Sequence, residues 1–239
     1  MKKAVVLKAP GTNNDCETRY ALEKAGADPR IVHINRIASG EVNLDDFSIM
    51  VIPGGFSYGD ELGAGKLFSL FLKYRFRESF ERFIRKGKLV AGICNGFQVL
   101  LKTGVFNLPD SSQRLTLTRN DCGDFVCRWV ELKVDTDKFW FRGLEDRIKL
   151  PVAHAEGKFT GEREALESLR ENGQIALQYL DNPNGSSLDI AGIVSSQGNV
   201  LGLMPHPERY LFGYQYPGPR RERQVPWGIQ IYRNMVENA

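Results

Sequence analysis

Apolar residues in this chain follow two rhythms. Ala4-Val5-Val6-Leu7, Arg30 to Ile34, Ile49-Met50-Val51-Ile52 and Leu89-Val90-Ala91 are short runs with the continuity of strands buried on both faces. Between them the spacing turns helical. Asn14 or Asp15 is placed to cap a helix running to about Ala25, with Gly26 ending it. From Lys66 to Ile84, apolar side chains at Leu67, Leu70, Phe71, Tyr74, Phe76, Phe80, Phe83 and Ile84 recur close to one helical face, and Phe97 to Leu101 begins another helix. Strands alternating with helices predict a mostly parallel sheet with helices on both faces.

The later half changes character. Phe125 to Val134 and Ile175 to Leu180 read as longer strands. Ile190 to Val194 and Val200 to Met204, joined through Ser196-Gln197-Gly198-Asn199, read as a hairpin, and Pro226 to Val236 as a closing helix. This predicts a peripheral antiparallel section. The stretch Tyr214 to Pro226, with Arg220, Arg221 and Arg223, is a solvated basic loop or a docking surface for a partner. No internal repeat or low-complexity tract interrupts the pattern, so one mixed α/β domain over residues 1–239 is expected.

Composition removes several function classes. The formal net charge of +3 carries no nucleic-acid footprint. No apolar run approaches the ~18 residues of a membrane span, and the one after Met1-Lys2-Lys3 is too short for a signal peptide. Cys16, Cys94, Cys122 and Cys127 are too few for a disulfide framework. Cys122 and Cys127 lack a usual zinc spacing, and His33, His154 and His206 are the only histidines available to help, so no metal is expected. A cytoplasmic protein with reduced thiols is the expectation.

Chemistry is concentrated in Gly92-Ile93-Cys94-Asn95-Gly96, set between an apolar strand and a helical run. This is the strand-turn-helix nucleophile elbow with cysteine in the serine position. Such a turn projects the central side chain from the carboxyl edge of a sheet, where ligands of open α/β sheets bind. The helix N-terminus adds partial positive charge beside the sulfur, and the N–H of Asn95 is aimed where an oxyanion would develop. A buried structural cysteine in a tight turn would give the same pattern. A nucleophile needs a base held by a third group. In Met204-Pro205-His206-Pro207-Glu208-Arg209, His206 and Glu208 are two apart and can share a face, the carboxylate fixing the imidazole tautomer, although an exposed turn would read the same. His33 lacks a nearby carboxylate and reads as structural. His154, in Val152-Ala153-His154-Ala155-Glu156-Gly157, could serve as a channel or partner contact.

Together these segments resemble the class I glutamine amidotransferases over nearly the whole chain. The resemblance takes in Pro10-Gly11-Thr12-Asn13, Gly54-Gly55-Phe56-Ser57-Tyr58-Gly59-Asp60, the cysteine elbow through Gln98, Arg119-Asn120, Phe125 to Val130, Ala153-His154-Ala155-Glu156-Gly157, Asn182 to Ser186, and Gly198 to Arg209. It implies a flavodoxin-like fold and a Cys-His-Glu glutaminase: Cys94 as nucleophile, His206 as general base, Glu208 as its orienter. It also implies Gly55 as second oxyanion donor beside Asn95, and Gln98, Asn120 and Phe125 as the residues holding L-glutamine. Within the family, the Gly-Gly-Phe-Ser-Tyr-Gly-Asp and Ala-His-Ala-Glu-Gly segments resemble glutaminases of purine biosynthesis. These pass ammonia to a large synthetase subunit that converts formylglycinamide ribonucleotide to its amidine, commonly with a small bridging subunit. No cofactor is then expected on this chain, with ATP and Mg on the synthetase. Glu61, Gly63, Cys122 and Asp124 depart from the family's usual residues. The alternatives are a glutaminase serving another synthetase, a catalytically silent regulatory subunit, and an α/β cysteine peptidase.

Overall fold

A computed structural model gives the fold and describes residues 1–60, 63–106, 115–218 and 226–239. Its strands are β1 (Lys3–Lys8), β2 (Asp28–His33), β3 (Ile49–Ile52), β4 (Leu89–Ile93), β5 (Leu115–Thr118) and β6 (Val126–Val134). They continue with β7 (Arg147–His154), β8 (Lys158–Gly161), β9 (Ile175–Tyr179), β10 (Ile190–Val194) and β11 (Val200–Leu203). The helices are α1 (Asp15–Lys24), α2 (Ile34–Ala38), α3 (Lys66–Arg75), α4 (Arg77–Arg85), α5 (Asn95–Thr103), α6 (Arg163–Glu171) and α7 (Trp227–Glu237).

Among the described residues, one nine-stranded sheet runs β2-β1-β3-β4-β11-β10-β9-β6-β7, with β5 and β8 forming a separate antiparallel pair. The block from β2 to β11 is parallel, and every pairing from β11 to β7 is antiparallel. The expected antiparallel section forms one side of the main sheet, with the β5–β8 pair apart from it. Residue chemistry explains the division. All residues of β3 and β4 are buried, as in strands covered on both faces, whereas β7 alternates buried and partly exposed positions like a strand with one wet face. Helix α1 packs with α7 and α3 with α5, and one apolar core runs from Ala4 to Met235.

The helix expected from Lys66 to Ile84 is two helices. Phe76 leaves helical geometry at φ −145° and ψ 37°, which lets Phe80 and Phe83 turn into the core while Arg82 and Lys86 reach Asp45. In α3 the buried positions are Phe68, Ser69 and Leu72, and Leu70 and Tyr74 face outward, because this helix packs on α5. His33 has the structural role expected of it, accepting from Asn35 N–H at 3.2 Å to cap α2. Glu61 and the three loop arginines, Arg220, Arg221 and Arg223, lie outside the described residues.

Candidate active site

The site lies where β1, β3, β4 and β11, neighbours in the sheet, end their carboxyl edges together. This is the position where open α/β sheets bind ligands. Strand β4 delivers the chain to Cys94, which holds φ 51° and ψ −105° before α5 begins at Asn95. A left-handed non-glycine residue costs of order 1–3 kcal/mol and persists only where its surroundings enforce it. Here Cys94 N–H donates to Leu203 of β11 at 2.8 Å, and the Cys94 carbonyl accepts from Phe97 and Gln98 N–H. Gly96 completes the turn, since a Cβ there would strike the Ile52 carbonyl of β3. The Cys94 thiol is buried and donates to the Ala153 carbonyl at 3.6 Å. The N–H of Asn95 opens α5 and has no carbonyl one turn back within that helix.

Parallel pairing sets Leu203 beside Ile93, so the chain leaving β11 emerges next to Cys94. His206 N–H donates to the Pro151 carbonyl at 2.8 Å, and His206 Nδ1 meets Glu208 Oε1 at 2.6 Å. A carboxylate acceptor puts a proton on Nδ1 and turns Nε2 toward the cavity side. Nε2 is buried with no hydrogen bond of full geometry to protein, although the Cys94 sulfur is close enough to act on the ring. Burial opposes the charged imidazole, but the Glu208 carboxylate and the Cys94 sulfur outweigh it and push His206 up to about 10.

The sequence concealed two members of this group. Asn14 makes no side-chain cap on α1; its amide donates to Glu208 Oε1 at 3.3 Å and lies 3.3 Å from His206 Nδ1. Arg209 Nη2 in turn donates to Asn14 Oδ1 at 3.2 Å, fixing which way that amide faces. Neither contact has a sequence signal, because Asn14 and Glu208 are 194 residues apart.

Facing the elbow is the wall contributed by β7 and the segment 119–125. Asn120 Nδ2 donates to the Asp124 and His154 carbonyls, both at 2.9 Å, so its Oδ1 must be the acceptor for His154 Nδ1 at 3.1 Å and Gly157 N–H at 3.0 Å. His154 therefore carries its proton on Nδ1. Burial, reinforced by the charge of His206, lowers its pKa to about 4, so its ring is neutral near pH 7. This places His154 as a structural post for the 119–125 loop. Strand β7 is last in the strand order, yet its carbonyls reach both Cys94 and His206. The antiparallel half thus curls back over the parallel strand ends.

A cavity of about 410 Å³ lies between the two halves. Cys94, His206, Gly55, Gln98, Phe125 and His154 line it, while Asn95, Glu208 and Asn120 stand behind the lining. Gly55, at φ 137°, bridges to Thr12 at the cavity edge. Gln98 has both ends of its amide engaged, to Asn95 Nδ2 at 3.0 Å and to the Glu156 carbonyl at 2.7 Å. Phe56 and Phe125 are each 50% exposed at the rim. The set supplies a sulfur nucleophile, a carboxylate-held imidazole and N–H donors, the requirements of acyl transfer. Among the described residues no group of three acidic, histidine or cysteine side chains is arranged to hold a metal, and no helix is long and apolar enough to cross a membrane.

Residues 1–238 match the CobB/CobQ-like glutamine amidotransferase domain family. The chain is 41% identical to a phosphoribosylformylglycinamidine synthase subunit PurQ of Dehalococcoides mccartyi, covering 99% of this chain and 97% of that protein. It is 45% identical to a protein of the same name from Treponema denticola, over 86% of this chain and 87% of that one. A chain in the structure of PurLQS from Thermotoga maritima superposes with a TM-score of 0.80 at 31% identity, covering 99% of both chains.

Proposed function

This chain belongs to the CobB/CobQ-like glutamine amidotransferase family, and within it to the PurQ subunits of phosphoribosylformylglycinamidine synthase; from that premise we propose that Cys94, His206 and Glu208 are its catalytic triad. The observation that carries the reading is the meeting of a strained cysteine elbow and a 2.6 Å imidazole–carboxylate pair at one cavity.

In this reading Cys94 Sγ, its proton held on His206 Nε2, attacks the side-chain carbonyl carbon of L-glutamine. The N–H groups of Gly55 and Asn95 hold the developing oxyanion, where loss of one donor costs about 3 kcal/mol of barrier. His206 returns the proton to the departing ammonia, leaving a γ-glutamyl thioester on Cys94. It then takes a proton from water, which attacks the thioester and releases glutamate. Glu208 holds the ring and balances its charge throughout. Phe125 and the backbone of the Asn120 loop grip the amino-acid end of glutamine, with Gln98 bracing the floor.

The ammonia serves a partner synthetase rather than the solvent. That subunit carries ATP and Mg and converts formylglycinamide ribonucleotide to formylglycinamidine ribonucleotide, with a small subunit bridging the two. The half-exposed Phe56 and Phe125 at the cavity rim support a partner seated there. The test is ammonia release from glutamine by wild type and Cys94→Ala, each with and without synthetase subunits. Partner-stimulated release that vanishes in the variant is expected. Wild type that stays silent with its partners would leave a regulatory docking subunit instead.

A further inference from the structure

The N–H of Asn95 belongs to the elbow and that of Gly55 to the loop after β3, two separate pieces of chain. An oxyanion hole works only if both donors sit at a fixed separation around the same oxygen. Parallel pairing ties β3 to β4 only as far as Ile52 and Gly92, so the few residues from there to each donor need a further tie.

The Asn95 side chain does so. It is 2% exposed, and its Oδ1 accepts from Ser57 Oγ at 2.6 Å and from Ser57 N–H at 3.4 Å. Its Nδ2 donates to Asp60 Oδ1 at 3.2 Å and to Gln98 Oε1 at 3.0 Å. Asp60 Oδ1 also accepts from Gly65 N–H at 3.3 Å, which closes the loop on itself. Ser57 is two residues from Gly55, so the span between the donors is a short, bonded path. The loop needs such a hold: Tyr58, Gly59 and Asp60 sit in succession at φ 56°, 67° and 53°. Left-handed geometry is uncommon at non-glycine residues and does not maintain itself.

We propose that Ser57 and Asp60 are positioning residues of glutamine hydrolysis, which act through the Asn95 amide to set the distance between the Gly55 and Asn95 oxyanion donors. This rests on the reading of Cys94 as nucleophile and of those two N–H groups as its oxyanion donors. Ser57 stands behind the cavity lining, and Asp60, which is part of that lining, need not touch the reacting atoms. Their removal therefore lowers the rate of the chemical step without weakening glutamine binding.

The experiment is steady-state glutaminase kinetics of the complex with its synthetase subunits, for wild type, Ser57→Ala, Asp60→Ala, Asp60→Asn and Cys94→Ala. Alkylation of Cys94 by iodoacetamide, a reaction with no oxyanion, is followed alongside. Ser57→Ala is expected to lose kcat by roughly ten- to a hundred-fold, the scale of a sub-ångström to 1 Å misplacement, with KM little changed. Its alkylation rate should match wild type. Asp60→Asn, which keeps the acceptor oxygen, should recover most of what Asp60→Ala loses. If Asp60→Ala does not fold, Ser57→Ala decides alone. An undiminished kcat in Ser57→Ala, a loss confined to KM, or alkylation falling in step with turnover would overturn the proposal. Turnover surviving in Cys94→Ala would instead bring down the nucleophile reading, and the proposal with it.

Discussion

The two halves of the sheet do different work at one cavity. The parallel half holds its reactive atoms by backbone: Cys94 through Leu203 and its own helix start, and His206 by emerging beside β4. The antiparallel half holds its wall by side chains. There Asn120, His154, Asn182, Asn184 and Ser186 bond to carbonyls, N–H groups and each other. The parallel side adds one side-chain tie, from Asn95 to Ser57 and Asp60, whereas the antiparallel wall is a side-chain lattice that can be loosened one residue at a time. Damage on the parallel side should therefore appear in kcat, and damage on the antiparallel side in KM and stability.

The largest effect that tests this division is Glu208→Gln. The shape is kept and the charge is lost, and a comparable change in an orienting carboxylate costs about ten-thousand-fold in turnover. Its pH profile gives the sharper reading. His206 stands at about 10 because the carboxylate and the sulfur overcome burial, so removing the carboxylate lets burial pull it down. The alkaline limb of kcat, where the imidazolium loses the proton meant for ammonia, should move to lower pH; an unmoved limb would separate that limb from His206. Next comes Asn120→Ala, which orphans His154 Nδ1–H and Gly157 N–H together. A rise in KM of about tenfold and a stability loss of about 1–3 kcal/mol per unsatisfied group are expected, with kcat nearly held. A kcat effect larger than the KM effect would erase the contrast between halves. The smallest effect on turnover is expected from Gly157→Ala. Its Cβ would fall on the His154 ring, so thermal unfolding should show a loss of about 1–3 kcal/mol while kcat changes only a few-fold.

The same division governed what the sequence disclosed. The parallel strands were legible because burial on both faces leaves no polar residue to interrupt them, as in Ile49-Met50-Val51-Ile52. Cys94 was legible because its elbow is local, and His206 with Glu208 because they share one turn. Strand β7 was not, since Arg147 and Lys149 alternate with its buried residues and Pro151 sits in its middle. A proline argues against a strand except at a sheet edge, and edge position is a property of the whole fold. Helix α6 escaped for a related reason: only Ala165 and Leu169 are fully buried, too few to set a rhythm. Asn14 read as a helix cap because its partner, Glu208, belongs to a distant turn. Ser57 and Asp60 gave no sign of their tie to Asn95, which exists only once the β3 loop folds over the elbow.

Strand β7 has one more consequence, for the behaviour of the protein in a crowded solution. A terminal strand exposes a row of unpaired backbone groups that can template pairing with another chain. Here Pro151 contributes no donor, its carbonyl is taken by His206 N–H, and the Ala153 carbonyl is taken by the Cys94 thiol. The elbow and the 204–209 turn thus double as a guard on that edge, so a lesion that frees the turn would invite self-association.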